Sequence, residues 1–359
     1  MFSLKDKVLG EMIIQQIKKE HVSLTFMHVC GTHQDSLMKH GLDSLLKDAG
    51  ITIIQGPGCP VCVTTPKEIE EMICLGKKDH IIASYGDMIH VPGQNHSLQF
   101  LHTEGYDIRT VYSIEDAVSI AEQHPSKEIV FMAVGFETTA PSSAAVLLNN
   151  PPNNFSVLCC HRLIPPALKA IVEMGEINID GFIQPGHVAT IIGVKPFSFL
   201  SEKYRIPQVI TGFEPIDILM ATWMLVQQIK NNKPFIQNEY IRVVKDNGNE
   251  KAQDLINTVF TTEDTPWRGF SMISSSGLIL KSSFDQYNAR KKFHNELSTL
   301  SDQSFSEPKG CRCGELLRGL ISPTQCPLFG KTCTPSNPVG PCMVSSEGNC
   351  HISFKYTKS

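Results

Sequence analysis

Ile51-Thr52-Ile53-Ile54-Gln55-Gly56-Pro57-Gly58-Cys59-Pro60-Val61-Cys62, running on through Val63-Thr64-Thr65-Pro66-Lys67-Glu68, decides the fold. Three isoleucines and a threonine in five residues favour an extended, buried strand. Two glycines and two prolines then turn the chain. Thr65 is a helix N-cap, Pro66 fits the first helical position, and Glu68 can close a capping box. A strand that turns directly into a helix is half of a βαβ unit, so a parallel sheet is expected. The same order recurs through the first 240 residues. Strands are expected at residues 23–29, 51–55, 80–85, 128–134, 155–159 and 207–211, with weaker runs at 107–112 and 180–183. Ser113-Ile114-Glu115-Asp116 repeats the helix start, and residues 214–230 read as a long helix packed through Ile218, Leu219, Trp223 and Val226. Residues 1–20 read as a surface helix with Val8, Leu9, Met12, Ile13 and Ile17 inward.

The fold class expected is α/β: two parallel-sheet, Rossmann-like domains facing a cleft, plus a small Cys-rich C-terminal iron–sulfur domain. The boundaries expected are 1–115, 116–300 and 301–359. No short fixed-period repeat suggests a solenoid.

Of 359 residues, 41% are hydrophobic and 19% charged, which suits a folded chain rather than a disordered one. A net charge of −4 provides no basic field for nucleic acid. Apolar runs stop well short of a bilayer span, and Lys and Glu interrupt the N-terminal apolar residues, so neither membrane nor secretory leader is expected. The setting expected is cytoplasmic. Twelve cysteines in a reducing compartment then act as buried thiols, redox groups or metal ligands rather than as a disulfide framework.

Chemistry collects after the strands. The first is followed by Cys30-Gly31-Thr32-His33, the second by the Cys59-x-x-Cys62 turn, and the third by Tyr85-Gly86-Asp87-Met88. Later strand ends carry Gly135-Phe136-Glu137-Thr138-Thr139-Ala140-Pro141, Gln184-Pro185-Gly186-His187-Val188 and Gly212-Phe213-Glu214-Pro215. Ligands of open α/β sheets bind beyond the carboxyl ends of strands, so these residues can share one crevice. Cys59 and Cys62 suit reversible disulfide formation or metal ligation, against a plain reading as small buried hydrophobes. Cys30 and His33 pair a soft with a borderline ligand, fit for iron or zinc, and otherwise read as structural. Glu137 and His187 are candidates for acid–base work or for supporting a bound metal; the plain reading of Glu137 is a helix-start carboxylate. Asp87 is expected to bond amides of its own following loop. Cys74, Cys159 and Cys160 read as core.

Six cysteines fall between residues 311 and 350, in a stretch rich in Pro and Gly that cannot build a large apolar core. Cys311, Cys326, Cys333 and Cys350 are spaced C-x14-C-x6-C-x16-C. Unequal spacing on loops fits a [4Fe–4S] cluster better than structural zinc, which favours two tight pairs. Cys313 can replace Cys311 as ligand, and Cys342 is open between ligand, redox partner of Cys313 and bystander.

Taken together, these motifs, with Val91-Pro92-Gly93 and Ser345-Ser346-Glu347-Gly348, resemble one family over nearly the whole chain: the HypD proteins that help mature [NiFe]-hydrogenases. The chain departs from the family pattern at His28 and His90. The resemblance implies a scaffold on which an iron ion receives two cyanides and one carbon monoxide before passing toward the hydrogenase large subunit. It implies that Cys30 is the iron ligand, shared with a cysteine of a small HypC-like chaperone, with His33 beside it. Cys59 and Cys62 would supply thiol redox equivalents fed by the [4Fe–4S] cluster, and a HypE-like partner would donate cyanide. Such a protein is a metallocentre-assembly scaffold with redox activity rather than a conventional small-substrate enzyme. The alternative is a cluster-dependent thiol–disulfide oxidoreductase, which would keep cycling the dithiol without Cys30.

Overall fold

Residues 6–357 are described by the computed structural model of the chain; residues 1–5, where the expected first helix would begin, lie outside it. Each of the eight anticipated strands is present, and all pair in parallel within two sheets. One sheet has the order β2-β1-β7-β8-β9, built from Ile51–Gln55, Leu24–His28, Gly181–Pro185, Gln208–Thr211 and Ile236–Asn238. The other has the order β4-β3-β5-β6, built from Ile108–Thr110, Ile81–Ser84, Ile129–Gly135 and Phe155–His161. β5 and β6 are buried along their whole lengths, as parallel strands covered on both faces must be.

The two sheets do not divide the chain at residue 115. β3 and β4 lie before that point yet belong to the second sheet, and β7, β8 and β9 lie after it yet complete the first. The chain leaves the first sheet after β2, builds the second, and returns. The eight anticipated strands obey the same local rule of β-branched run, turn and helix, so nothing local tells which sheet each will join.

Helix starts follow the expected capping chemistry. Thr65 and Glu68 close a capping box on the helix Pro66–Gly76, and Ser113 and Asp116 close one on Ile114–Gln123. The N-terminal helix Lys7–Lys19 is turned relative to expectation: Val8 and Met12 are 67% and 58% exposed, while Gly10, Ile13, Ile14 and Ile17 are buried. Gly10 is the cause. Its missing side chain lets the helix sit against Ile216 and Leu219 of the long helix Pro215–Lys230, which fixes Gly10 as the contact face.

Three strands were not anticipated. β9 is three residues long, and β10 (Phe260–Pro266) and β11 (Met272–Leu280) form an antiparallel hairpin packed beside β6. β10 carries four consecutive exposed residues, so it lacks the alternation that marks a strand in sequence. The polar stretch after Lys281 is tied to the second sheet: Tyr287, Ala289 and Phe293 are buried, and Arg290 donates to Glu71 and to the Cys159 carbonyl. The C-terminal region returns to the first sheet, where the helix Asn349–Thr357 packs on Gly31–Lys39 and the Tyr356 hydroxyl donates to Asp35 at 2.9 Å. Among the described residues no helix is long and apolar enough to cross a membrane.

Candidate functional site

A sheet opens a crevice where its strand order reverses, because the loops on either side leave in opposite directions. The first sheet reverses between β1 and β7, and the second between β3 and β5. Cys30 follows β1, His187 follows β7, Asp87 follows β3, and Phe136 to Thr139 follow β5. The two crevices share a cavity of about 240 Å³, lined by Cys30, Thr32, Gly58, Pro60, Phe136, Thr138, Thr139, His187, Phe213 and Glu347. A larger groove of about 890 Å³ runs beside His90, His96, Glu307 and Lys309 and holds none of the strand-end thiols or carboxylates.

Cys30 is the N-cap of the helix Gly31–Lys39 and is 1% exposed. Its Sγ stands 3.8 Å from His187 Nδ1. Burial pushes the Cys30 thiol up to about 12 and holds His187 down at about 4, so at neutral pH a protonated thiol faces a neutral imidazole. His28 fixes the backbone here: its Nδ1 accepts from the Cys30 N–H at 3.4 Å, and its Nε2 donates to Gln34 Oε1 at 2.8 Å. Burial lowers His28 to about 4, so it too is neutral.

Cys59 and Cys62 are joined as a disulfide, and both are buried. Cys59 caps the short helix Pro60–Val63, its Sγ accepting from the Cys62 N–H at 3.1 Å. The turn lies directly on the Cys30 loop. A Cβ on Gly58 would sit inside the Val29 carbonyl and the Cys30 nitrogen. A Cβ on Gly31 would likewise overlap Glu347, which brings the C-terminal segment to the same place. Burial raises the Glu347 carboxyl, with the nearby Asp87 adding to the effect. Asp87 bonds the Ser346 N–H at 3.2 Å instead of its own following loop, and so anchors the segment carrying Glu347.

Two expected residues lie near the site with their polar atoms directed elsewhere. His33 Nε2 donates to the Gly212 carbonyl at 2.9 Å, and its ring lies 4.9 Å from Phe213, whose ring is 5.4 Å from His187. His33 supports the cavity from behind Phe213, with its buried Nδ1 unpartnered. Glu137 Oε1 accepts from the Ile164 N–H at 2.9 Å at the start of the helix Ile164–Met174, and its Oε2 has no partner. Burial lifts this carboxyl from 4.5 to about 7. Between those values the folded chain holds a proton that the unfolded chain has lost, so this contribution to stability falls as pH rises from about 4.5 to about 7. Glu137→Gln keeps the acceptor without the charge. It is expected to stabilise the fold by about 2 kcal/mol at pH 8 and by little at pH 4, read by urea unfolding at the two pH values.

The C-terminal cysteines converge. Cys311 and Cys313 sulfurs are 3.2 Å apart, Cys313 interacts with both Cys342 and Cys350, and the Cys333 sulfur accepts from the Val339 N–H at 3.4 Å. A Cβ on Gly340 would come within 2.6 Å of both Cys311 and Cys313 sulfurs, so only glycine can close this loop. The hydrogen bond between the two sulfurs lowers Cys311 to about 7 and raises Cys313. Sulfurs this close would compete for one metal position, so a cluster could take only one of the pair. The donors are all thiols, which suits iron–sulfur chemistry. Among the described residues no group of three or more His, Cys, Asp or Glu side chains is arranged to hold a metal ion. Cys74 is half-buried against the Glu296 carbonyl, and Cys159 and Cys160 are buried on β6.

Sequence reasoning gave no role to Glu347. A carboxylate in a Ser/Gly stretch more than 300 residues from Cys30 has no local signal, and only the return of the C-terminal region shows its place.

Residues 7–357 match the family model for HypD, described as the hydrogenase formation hypA family. A putative hydrogenase expression/formation protein of Methanocaldococcus jannaschii is 45% identical over 100% of both chains. The hydrogenase maturation factor HypD of Cupriavidus necator is 40% identical over 98% of this chain and 95% of its own. The HypD of Escherichia coli is 39% identical over 93% and 89%. Matches of this extent, with the Cys30, His187 and Phe136–Thr139 strand ends meeting at one cavity, place it: the chain belongs to the HypD family.

Proposed function

We propose that this protein is a hydrogenase maturation factor on which an iron ion carrying two cyanides and one carbon monoxide is assembled, with Cys30 as the protein's iron ligand. The observation that carries this reading is the Cys30 thiol at the meeting of two crevices, 3.8 Å from His187, with the Cys59–Cys62 turn packed on its own backbone. At about 240 Å³ the cavity falls below the roughly 300–1,000 Å³ typical of organic-ligand pockets, and an iron with diatomic ligands is the right scale of cargo. Phe136 and Phe213 make part of its wall apolar and limit water. Thr32, Thr138 and Thr139 supply hydroxyls on the same wall, donors suited to the outer atoms of cyanide.

Thiolate, not thiol, binds iron. Cys30 is protonated at neutral pH, so loading requires its proton to leave, and neutral His187 Nδ1 is the acceptor in place. The Cys59–Cys62 disulfide beside it is a two-electron store: two electrons and two protons convert it to two thiols. Cys311 or Cys313, with Cys326, Cys333 and Cys350, would hold a [4Fe–4S] cluster, which when bound supplies single electrons. The helices Cys313–Leu317 and Pro341–Val344 both pack on Pro60–Val63, so the cysteine array adjoins the disulfide. The family supports partners within the maturation machinery; a HypC-like chaperone sharing the iron and a HypE-like cyanide donor complete the reading. Burial of both Cys59 and Cys62 favours a redox role internal to this assembly over exchange with an outside substrate.

Iron binding tests this. With the C-terminal cysteines already loaded and binding by Cys30→Ala subtracted, Fe(II) affinity is expected to rise about tenfold per pH unit from pH 6 to 8. One thiol proton is released across that range, well below about 12, while His187, lowered to about 4, stays neutral. His187→Gln should weaken or slow loading about tenfold. A pH-independent affinity contradicts Cys30 as the ligand.

A further inference from the structure

The turn Trp267-Arg268-Gly269-Phe270, between β10 and β11, joins three parts of the molecule that the proposed function uses. Trp267 is buried and stacks on Phe136 of the cavity wall, with ring centroids 6.0 Å apart. Gly269 has φ +80° and lies so close to Gly314, the residue after Cys313, that a Cβ would overlap its Cα. Arg268 lies between them. Its N–H donates to the Val63 carbonyl at 2.9 Å and its Nε to the Thr64 carbonyl at 2.8 Å, the two carbonyls that follow Cys62. Its Nη1 donates to Glu307 Oε2 at 2.5 Å, ahead of Cys311.

The Arg268 side chain is 1% exposed, and its Nη2 is buried with no hydrogen-bond partner. A buried guanidinium with an unused donor is costly, and it cannot shed its proton. The Thr64 carbonyl is the one backbone group the side chain serves, and a neutral glutamine could donate to it; Glu307, which pairs the charge, is itself partly exposed. A fixed charge differs from a neutral donor in stabilising negative charge that forms beside it.

We propose that Arg268 is a positioning residue for the Cys59–Cys62 couple, pinning the turn after Cys62 to the C-terminal cysteines and lending its charge and unused Nη2 to thiolates formed when the disulfide opens. This rests on the reading that Cys59–Cys62 cycles. In the step concerned, a thiolate of a reducing dithiol attacks one sulfur, the S–S bond breaks, and the other cysteine leaves as thiolate. The second thiol of the reductant then attacks the reductant's own first sulfur in the mixed disulfide, and the remaining protein cysteine leaves as thiolate. The reductant ends as a disulfide; of its two protons one stays on a cysteine thiol and the other goes to solvent, so that the second cysteine remains a thiolate beside Arg268. Arg268 stabilises the thiolate of the first displacement and the reduced turn.

The test equilibrates the full chain, prepared without oxygen and with its C-terminal cysteines loaded, against graded ratios of reduced to oxidised dithiothreitol. Cys59 and Cys62 are alkylated and counted by mass spectrometry. Arg268→Gln should need about a tenfold higher ratio for half-reduction, while Arg268→Lys, which keeps the charge, stays within about threefold of the parent. Glu307→Gln removes the neutralising carboxylate at a partly exposed position and should move the midpoint the opposite way, by about threefold. If Arg268→Gln does not fold, the Glu307→Gln shift decides. Parent-like midpoints in both variants overturn the proposal. Equal shifts in Arg268→Gln and Arg268→Lys with a silent Glu307→Gln also overturn it, leaving only a tether. A parent protein whose pair stays oxidised at every ratio refutes the cycling reading itself, and the proposal with it.

Discussion

Cys30→Ala is expected to cut hydrogenase maturation by about a hundredfold or more while the fold and the C-terminal cysteines stay intact. The side chain is small, it makes no capping hydrogen bond at the start of Gly31–Lys39, and its backbone N–H remains held by His28. Losing it should therefore cost only about 1 kcal/mol of stability. What disappears is the thiol at the shared mouth of the two crevices, and His187 cannot replace a soft anionic donor there. The check is hydrogenase activity in cells relying on the variant, beside urea unfolding and a thiol count of the purified chain. Near-normal activity would exclude Cys30 as ligand. Lost activity together with lost stability would make the residue structural.

Gly58→Ala should be nearly as damaging although it removes no reactive atom. The added methyl would overlap the Val29 carbonyl and the Cys30 nitrogen, backbone atoms on the adjoining strand end that cannot rotate away. Either the Cys59–Cys62 turn lifts from the Cys30 loop or β1 and β2 lose register. We expect about 3 kcal/mol of destabilisation, and loss of maturation even where the protein folds. Gly86→Ala is the control, since its Cβ would meet only Thr110 Cγ2 at 3.5 Å, an ordinary contact. Equal tolerance of both substitutions would show that the close seating of the two loops is dispensable.

Local rules in the sequence carried the strands and helix starts, because β-branched runs, Gly/Pro turns and capping boxes act within a few residues. Sheet membership depends on pairing between distant segments, so β3 and β4 could not be placed beside β5 and β6, nor β7 beside β1. Cys30 and His187 were legible because both sit at strand ends, where α/β sheets place their chemistry. His33 and Glu137 carry the same positional signal. Their partners, Gly212 for His33 and Ile164 for Glu137, lie on distant segments that only the tertiary fold brings near. Glu347 stood in a motif of the resemblance without a role, and Arg268 had no signal: one arrives with the returning C-terminal region, the other on a hairpin whose first strand is largely exposed.

The central claim is that Cys30 holds iron bearing diatomic ligands. The most direct measurement is the infrared spectrum of the protein isolated without oxygen together with its small chaperone, compared with the Cys30→Ala variant prepared identically. The account predicts cyanide and carbon monoxide stretching bands in the parent and none in the variant. Bands of equal intensity in both would place the iron elsewhere, and bands in neither, with Cys59–Cys62 still reducible, would leave a thiol–disulfide oxidoreductase as the better description.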